Sequence, residues 1–292
     1  MKNGIGNKLY LCATPIGNLG DITLRAVETL KGVDKIYCED TRNTLKLLNA
    51  LDIKKPLESC HEHNEKLRAD RIAAEVRGGM SVAFVSDAGM PGVSDPGAAL
   101  IEKFIAEGLP YCVLPGASAA ITAFVMSGLD TDEMYFVGFL PRSGRERAQK
   151  LNRVIRSTAT TVIYESPLRV GATLTDIENA ILAAGGDPSS RRCALAREIT
   201  KAFEECVRGS VSCLRARYET EAPRGECVIL LGGAEESADD PQSDEKLISL
   251  LTLMLDEGVK VKSAAKIAAE ALGVPKNAAY KLAGELQSEI RG

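Results

Sequence analysis

The only two histidines of the chain stand two residues apart in the segment Ser59–Lys66, SCHEHNEK. His61 and His63 could bind a metal ion, accept a proton during catalysis, or simply lie at the surface. If the strand before them continues, both side chains point to one face and Cys60 points to the other. A zinc site needs a third and a fourth ligand, and no further metal-binding motif is present. The pattern therefore predicts no metal and leaves a surface role and an acid/base role open.

Three loops rich in glycine and proline each follow an apolar run of residues. They are TPIGNLGD from Thr14, SDAGMPGVSDPG over Ser86–Gly97, and LPGASAA over Leu114–Ala120. In an open α/β sheet, ligands bind beyond the carboxyl ends of the strands. Asp87 is placed to accept hydrogen bonds from ligand hydroxyl or amine groups, and Ser118 is placed to cap a helix. No GxGxxG or Walker A motif occurs, so a nicotinamide or nucleoside triphosphate site has no support.

The segments around these loops predict two α/β domains and a helical tail. Residues 1–129 alternate strands and helices, which predicts a mostly parallel sheet with helices on both faces. Residues 130–233 contain two neighbouring strands without a helix between them, which favours a mixed sheet. The acidic segment 234–244, AEESADDPQSD, is typical of a linker. Residues 245–292 are helical in pattern and split near residues 273–275, which is compatible with a helix-turn-helix module.

A dense run of basic residues begins the second predicted domain. Residues 142–156 contain six arginines and lysines and one acid, Glu146. The usual explanation is a solvated helix face, but contact with a phosphate backbone is an alternative. The predicted RNA-binding side chains of this helix are Arg145, Arg147, Lys150 and Arg153.

Composition limits the class of protein. The net charge is −4, so any contact with nucleic acid depends on a local basic patch. A hydrophobic content of 45% is sufficient for aliphatic cores. No apolar run is long enough to span a bilayer, and we expect a cytoplasmic protein. None of the eight cysteines forms a CxxC pair, so buried free thiols are expected.

Eight segments of the chain carry a family resemblance. In order they read LYLCATPIGNLGDITLRAVETL, CEDTRNTLKLL, HEHNE, SVAFVSDAGMPGVSDPG, PGASAAITAFVMSGL, FVGFLPR, YESPLR and AREITK. Together, over Leu9 to about Leu231, they closely resemble the ribosomal RNA small subunit methyltransferase I family of the tetrapyrrole methylase superfamily. Each segment alone is a weak signal, and their order makes the resemblance specific. Met90 stands where this family usually has threonine, and Ala117 where it usually has proline.

The resemblance implies a fold, a reaction and a cofactor. It implies two α/β domains with S-adenosyl-L-methionine bound in the cleft between them. It implies 2′-O-methylation of a decoding-centre cytidine in small-subunit ribosomal RNA, alone or within the 30S subunit, by a homodimer. Carried over by motif, the residues that contact the cofactor are Pro15, Ile16, Asp87, Ala88, Gly89, Met90, Ser118, Ala119, Tyr164, Arg197 and Glu198.

Within this resemblance, HEHNE belongs to the acceptor side of the cleft. A ribose hydroxyl is a weak nucleophile, so a group that accepts its proton would assist the transfer. Asp40, His61 and His63 are the candidates for that group. Arg42 and Asn64 are expected to hold the ribose or phosphate of the RNA. The chemistry itself requires no metal ion.

Two other functions remain open at this point. Other members of the superfamily methylate tetrapyrroles or a modified histidine on a protein, although the basic helix and the long tail disfavour these substrates. A non-catalytic ribosome-assembly factor with a vestigial cleft is the second alternative. The intact residues Pro15, Asp87, Gly89 and Ser118 disfavour it.

Overall fold

The computed structural model describes residues 5–61, 63–234, 241–272, 274 and 276–291. The chain divides into two compact units, 1–233 and 234–292. The described part of the first unit contains two five-stranded sheets. The described part of the second unit contains three helices. No helix among these residues is both long enough and apolar enough to cross a bilayer.

The first sheet is parallel throughout, as predicted. Its strand order is β3-β2-β4-β1-β5, so β1 pairs with β4 on one side and with β5 on the other. The strands are β1 Leu9–Cys12, β2 Lys35–Cys38, β3 Leu57–Ser59, β4 Val82–Val85 and β5 Tyr111–Leu114. β1 and β4 are buried along their whole length, which is typical of parallel strands covered on both faces. Because the strands are parallel, the loops after them meet at one edge.

Helices cover both faces of this sheet. They are α1 Leu24–Gly32, α2 Thr41–Ala50, α3 Glu65–Arg77 and α4 Ala98–Ala106. The next helix, α5 Ala119–Ser127, packs against the second sheet instead. Alternate residues of β1 divide between the two layers: Leu9 and Leu11 pack with α3 and α4, and Tyr10 and Cys12 pack with α1 and α2. The predicted layers are confirmed for these four helices.

The second sheet is mixed, which confirms the prediction. Its order is β6-β7-β10-β8-β9, with β6 and β7 parallel and the other neighbours antiparallel. The strands are β6 Met134–Phe139, β7 Thr160–Glu165, β8 Arg192–Arg197, β9 Glu205–Ser210 and β10 Cys227–Leu231. One face packs against α6 Gly144–Arg156, α7 Val170–Ala183 and α8 Val211–Arg217. The sequence did not predict α8, because seven residues that follow a strand directly give little periodicity.

Helix α5 precedes the predicted boundary between residues 129 and 130 but packs on the second sheet. Its buried residues Ala120, Ala123 and Phe124 share a core with Val162 and Val228 of the second sheet. The layer that covers the second sheet therefore begins inside the predicted first domain. Both sheets belong to one compact unit.

The tail is a bundle of α9 Pro241–Asp256, α10 Val261–Leu272 and α11 Lys276–Arg291. Leu247, Leu251 and Leu255 of α9 pack on alanine faces of the other two helices, and small side chains let helices approach closely. The helical module starts at Pro241, four residues before the predicted start at 245. Proline is favoured at the first helical position. Residues 235–240 of the predicted linker, and two of the predicted break residues, Gly273 and Pro275, lie outside the described residues.

Arg147, predicted to face RNA, is buried and tied into the second sheet's helical layer. Its side chain is 9% exposed, and its guanidinium donates to Asp176 Oδ2 at 2.7 and 2.9 Å. It also donates to Pro141 O at 2.9 Å and to Thr173 Oγ1 at 3.0 Å. A buried charge needs such partners to offset its desolvation. The sequence prediction for Arg147 was wrong, because Leu151, Val154 and Ile155 place its helix face against the core.

We expect Arg147→Ala to lower the free energy of unfolding by about 3 kcal/mol, because it leaves a buried hydrogen-bond network without its donor. Arg145→Ala, an exposed arginine two residues earlier in the same helix, should change it by no more than about 0.5 kcal/mol. Urea unfolding followed by circular dichroism measures both. Equal effects of the two substitutions would contradict the structural role of Arg147.

Candidate active site

The loops after β1 and β4 are joined by a short antiparallel bridge. Thr14 N donates to Gly89 O at 2.9 Å, and Gly89 N donates to Thr14 O at 3.1 Å. The buried hydroxyls of Thr14 and Ser86 add bonds to Ser86 O at 3.2 Å and to Gly89 O at 3.1 Å. These bonds fix the long loop Ser86–Gly97 at its start. The neighbouring residues Asp87 and Ala88 are exposed beside this fixed point.

Gly89 lies where three predicted loops converge. Its φ is +81°, a left-handed conformation that favours glycine. A Cβ at this position would lie 3.4 Å from Ile16 Cγ2 and 3.6 Å from Ala117 O. Gly116 is equally constrained, since its Cβ would lie 2.6 Å from Ala13 Cβ. The structure therefore brings together the loops that carry the predicted cofactor residues Pro15, Ile16, Asp87, Ala88, Gly89, Met90, Ser118 and Ala119.

The second sheet contributes an aromatic wall to the same region. Tyr164 accepts a hydrogen bond from Ala120 N at 3.1 Å, next to the predicted residue Ala119. Its ring packs edge-on against Phe136 and Phe139, with centroids 5.1 and 5.6 Å away. Burial raises the pKa of Tyr164, so its hydroxyl stays protonated at neutral pH. Ser118 holds the N-cap position but makes no side-chain capping bond, so the predicted cap is wrong.

Arg197 and Glu198 are held by local partners. Arg197 Nε donates to Glu205 Oε2 at 2.8 Å, and Glu198 Oε1 accepts from Lys201 Nζ at 2.9 Å. The turn that they begin reaches the first loop through its later residues: a Cβ at Gly17 would lie 2.6 Å from Lys201 Cγ and 2.9 Å from Thr200 Oγ1. Glu198 and Thr200 both have positive φ, 50° and 67°, a strained geometry that clusters at functional sites. A cofactor contact by Arg197 or Glu198 stays a prediction.

Asp87 and Asp40 organise the start of α2. The carboxylate of Asp87 accepts from Asp40 N at 3.1 Å and from Asn43 Nδ2 at 2.9 Å. Asp40 caps the helix by accepting from Arg42 N at 2.8 Å. The Arg42 guanidinium contacts both carboxylate oxygens, at 3.1 and 2.7 Å, and lowers the pKa of Asp40 to about 2. A carboxylate this acidic is a poor proton acceptor at neutral pH.

Two further carboxyl groups lie at this edge and were not among the predicted site residues. Burial, followed by repulsion from Asp87, raises the pKa of Glu39. Burial raises the pKa of Asp95 from 3.8 to about 6, and repulsion from Glu39 and Asp87 adds to the effect. Raised carboxyl pKa values are typical of functional sites. Glu39 directly follows β2, so its position at the carboxyl edge was available from the sequence.

The two histidines lie close to each other, and Asn64 holds the first of them. Asn64 Oδ1 accepts from His61 N at 2.9 Å, and Asn64 Nδ2 lies 3.2 Å from His61 Nε2. The Asn64 amide can donate to His61 Nε2 only in the tautomer that carries the ring hydrogen on Nδ1. The His61 and His63 ring centroids are 5.9 Å apart, and His63 is exposed. Cys60 is fully buried, which agrees with the predicted opposite orientation.

The remaining predicted residues are cations at the surface. Arg42 is 86% exposed, Arg145 and Arg153 are exposed, and Lys150 is 36% exposed. Their contacts with RNA stay predictions. Arg147 is buried, so we no longer expect it to contact RNA. Among the described residues, no group of three or more His, Cys, Asp and Glu side chains is arranged to hold a metal ion.

Known proteins resemble the chain over almost its whole length. The Tetrapyrrole (Corrin/Porphyrin) Methylases family matches residues 8–214, and the RsmI C-terminal HTH domain matches residues 241–287. Ribosomal RNA small subunit methyltransferase I of Synechocystis sp. is 39% identical over 96% of this chain and 99% of its own. The protein of that name from Halalkalibacterium halodurans is 42% identical over 94% of this chain and 93% of its own.

A solved structure supports the same fold. Uroporphyrin-III C-methyl transferase from Thermus thermophilus, complexed with S-adenyl homocysteine, is 20% identical, with a TM-score of 0.54 over 77% of this chain and 97% of that one. The two sheets therefore have the fold of a tetrapyrrole methylase. With relatives of about 40% identity along nearly all of its length, the chain belongs to the ribosomal RNA small subunit methyltransferase I family.

Proposed function

We propose that the chain transfers a methyl group from S-adenosyl-L-methionine to the ribose 2′-oxygen of a decoding-centre cytidine in small-subunit ribosomal RNA. The proposal rests on the three glycine-rich loops, which converge near Glu39 and His61. The loops could hold a nucleoside-like cofactor, and the neighbouring side chains could accept a proton. We place the protein in the cytoplasm, where its substrate is assembled.

The residues at the edge fit this cofactor. The Ile16, Gly89 and Ala117 loops offer backbone donors and acceptors with small side chains, and Tyr164 and Phe136 supply an apolar wall. A nucleoside with an amino acid tail requires that combination. When bound, the cofactor supplies an electrophilic methyl group on a sulfonium. The role of the chain is to hold the acceptor oxygen in line and to exclude water.

The proton of the acceptor hydroxyl needs a destination within the chain. Asp40 is disfavoured, because Arg42 contacts both its oxygens and depresses its pKa. His61 Nε2 is occupied by the Asn64 amide. Glu39, with a raised pKa and next to the Asp87 loop, and His63, with an exposed ring, are the better acceptors. We therefore propose that Glu39 takes the proton and that His63 contacts the ribose.

The RNA and a second subunit have separate surfaces in this proposal. Arg42 is exposed next to Glu39 and Asp40, so its guanidinium is positioned for a phosphate of the bound strand.

Homodimer formation would use the edge strand β5 with Tyr111 and Val113, together with the outer face of α5 with Ile121 and Val125. All four are at least 40% exposed. Sedimentation equilibrium of the wild-type chain and of Val125→Glu tests this, since a dimer unaffected by the substitution places the contact elsewhere.

Methyl transfer to small ribosomal subunits that lack their modifications tests the proposed reaction. We expect label from S-adenosyl-L-methionine to appear on one ribose 2′-oxygen in the decoding centre, located by nuclease mapping. Cofactor binding without transfer to RNA would favour a tetrapyrrole or protein substrate. Absence of cofactor binding would favour an assembly factor.

Glu39→Gln should slow single-turnover methyl transfer about a hundredfold, because it removes the proton acceptor while keeping the shape of the side chain. Asp40→Asn is the matched carboxylate control. We expect it to change the rate less than about threefold, because Arg42 lowers the pKa of Asp40 and makes it a poor proton acceptor. The pH dependence of the Glu39→Gln rate should also lose its acidic limb. Normal transfer by separate Glu39→Gln, His61→Ala and His63→Ala variants would contradict an acid/base role for this edge.

Asp95→Asn should stabilise the fold at alkaline pH. The folded state binds the Asp95 proton more tightly than the unfolded chain, so its contribution to stability falls as the pH rises from 3.8 to about 6. We expect the free energy of unfolding to rise by about 1–2 kcal/mol at pH 8, after allowance for partial exposure, and to change little near pH 4. Urea unfolding at both pH values checks this, with the exposed Asp132→Asn as control. A gain that is independent of pH would contradict it.

A further inference from the structure

A cavity of about 680 Å³ opens between the ends of β6 and β7 and helix α6. It is separate from the glycine-rich loops of the first sheet. The sequence segments FLPR and ESPLR form most of its wall. Its lining residues are Phe139, Leu140, Pro141, Arg142, Glu146, Lys150, Glu165, Ser166 and Arg169.

One acidic residue of the cavity is neutralised by the protein itself. The Glu165 side chain is 1% exposed, and its Oε1 lies 3.4 Å from Arg169 Nε and accepts from Ser166 N at 2.8 Å. Its Oε2 accepts from the Thr173 hydroxyl at 2.7 Å. Arg169 also donates to Leu140 O at 3.3 Å. Glu165 and Arg169 therefore form a fixed, neutral floor.

Two cations on the wall have capacity for an external anion. Arg142 is exposed, and its guanidinium makes no hydrogen bond or ion pair with any residue that the structure describes. Lys150 Nζ lies 3.7 Å from Glu146 Oε1, beyond hydrogen-bond distance, and the Glu146 side chain is 70% exposed. An ion pair this exposed is weak and is readily exchanged for a phosphate.

An exposed aromatic ring lines the cavity and leads towards the candidate active site. Phe139 is 54% exposed, and its ring packs on Tyr164 with centroids 5.6 Å apart. An open aromatic face stacks with a nucleobase whatever its sequence, and a neighbouring guanidinium and ammonium hold the phosphate. The combination of the ring with two cations matches one nucleotide of a single strand.

We propose that this cavity binds a nucleotide of the substrate RNA close to, but distinct from, the nucleotide that is methylated. Arg142 and Lys150 contact its phosphate, and the base stacks on Phe139. The Phe139–Tyr164 contact places this nucleotide next to the aromatic wall of the proposed cofactor site. This assignment rests on the proposed function and adds to it a subsite that anchors the strand.

The test uses the full-length chain, S-adenosyl-L-methionine and small ribosomal subunits that lack their modifications. Arg142→Gln and Lys150→Gln should each raise the half-saturating subunit concentration about tenfold. They should each lower the slope of log affinity against log salt by about 0.7. The transfer rate at saturation should change less than about threefold, since the contact serves binding rather than chemistry. Phe139→Leu should weaken binding without changing the salt slope.

Lys31→Gln, an exposed lysine in the last turn of α1, is the matched charge control and should behave like the wild type. If Arg142→Gln and Lys150→Gln bind subunits as this control does, the subsite is overturned while the proposed function stands. Weaker binding of S-adenosyl-L-methionine with unchanged binding of subunits would also overturn it. Competition by free adenosine monophosphate, with wild-type affinity of the variants for subunits, would assign the cavity to a free nucleotide instead. A wild-type chain that transfers no methyl group to subunits would overturn both proposals.

Discussion

The packing of α5 across to the second sheet is the constraint on which the candidate site depends. The helix begins directly after the last strand of the first sheet and buries Ala120, Ala123 and Phe124 against the second. Its first turn therefore lies between the two sheets. Tyr164 accepts from Ala120 N, and Ile16 of the first loop enters the same apolar core. The loops of one sheet and the aromatic wall of the other are thus placed together by burial of apolar surface, the main driving force of folding.

Close to these loops, the fold holds three carboxyl groups near one another, which is unfavourable when they are ionised. Glu39, Asp87 and Asp95 repel one another, and burial adds to the cost for Glu39 and Asp95. Of these three, Asp87 is the one whose carboxylate accepts hydrogen bonds from the start of α2. A structural ion network would place a cation among these groups. Instead, Arg42 extends into solvent beside Asp40. Retained repulsion of this kind is characteristic of a site whose groups act on a substrate.

The sequence predicted most elements because local patterns here agree with the fold. Apolar runs followed by glycine-rich loops located β1, β4 and β5 of the parallel sheet, and the resemblance placed the cofactor loops at one edge. The predictions failed where tertiary packing overrides the local pattern. Arg147 has the charge of a surface residue, but its neighbours Leu151 and Val154 turn it inward to Asp176. Glu39 was not predicted as a proton acceptor, because its raised pKa comes from burial in the folded chain and from Asp87, which is distant in sequence. The role of α5 depends on a sheet formed later in the chain.

Two arginines near the start of α6 have different surroundings: one stabilises the fold, and the other is proposed to bind RNA. Arg147 is enclosed by Asp176, Thr173 and Pro141 O, so it fixes α6 against α7 and the end of β6. Arg142 stands on the same end of β6 and has no partner among the described residues. Arg147 makes the end of β6 rigid. Arg142 therefore loses less conformational entropy if it binds a ligand there. Arg142 lines the same cavity as the Phe139 ring and makes no ion pair or hydrogen bond with the described residues that would stabilise the fold, which is why we assign it to ligand binding.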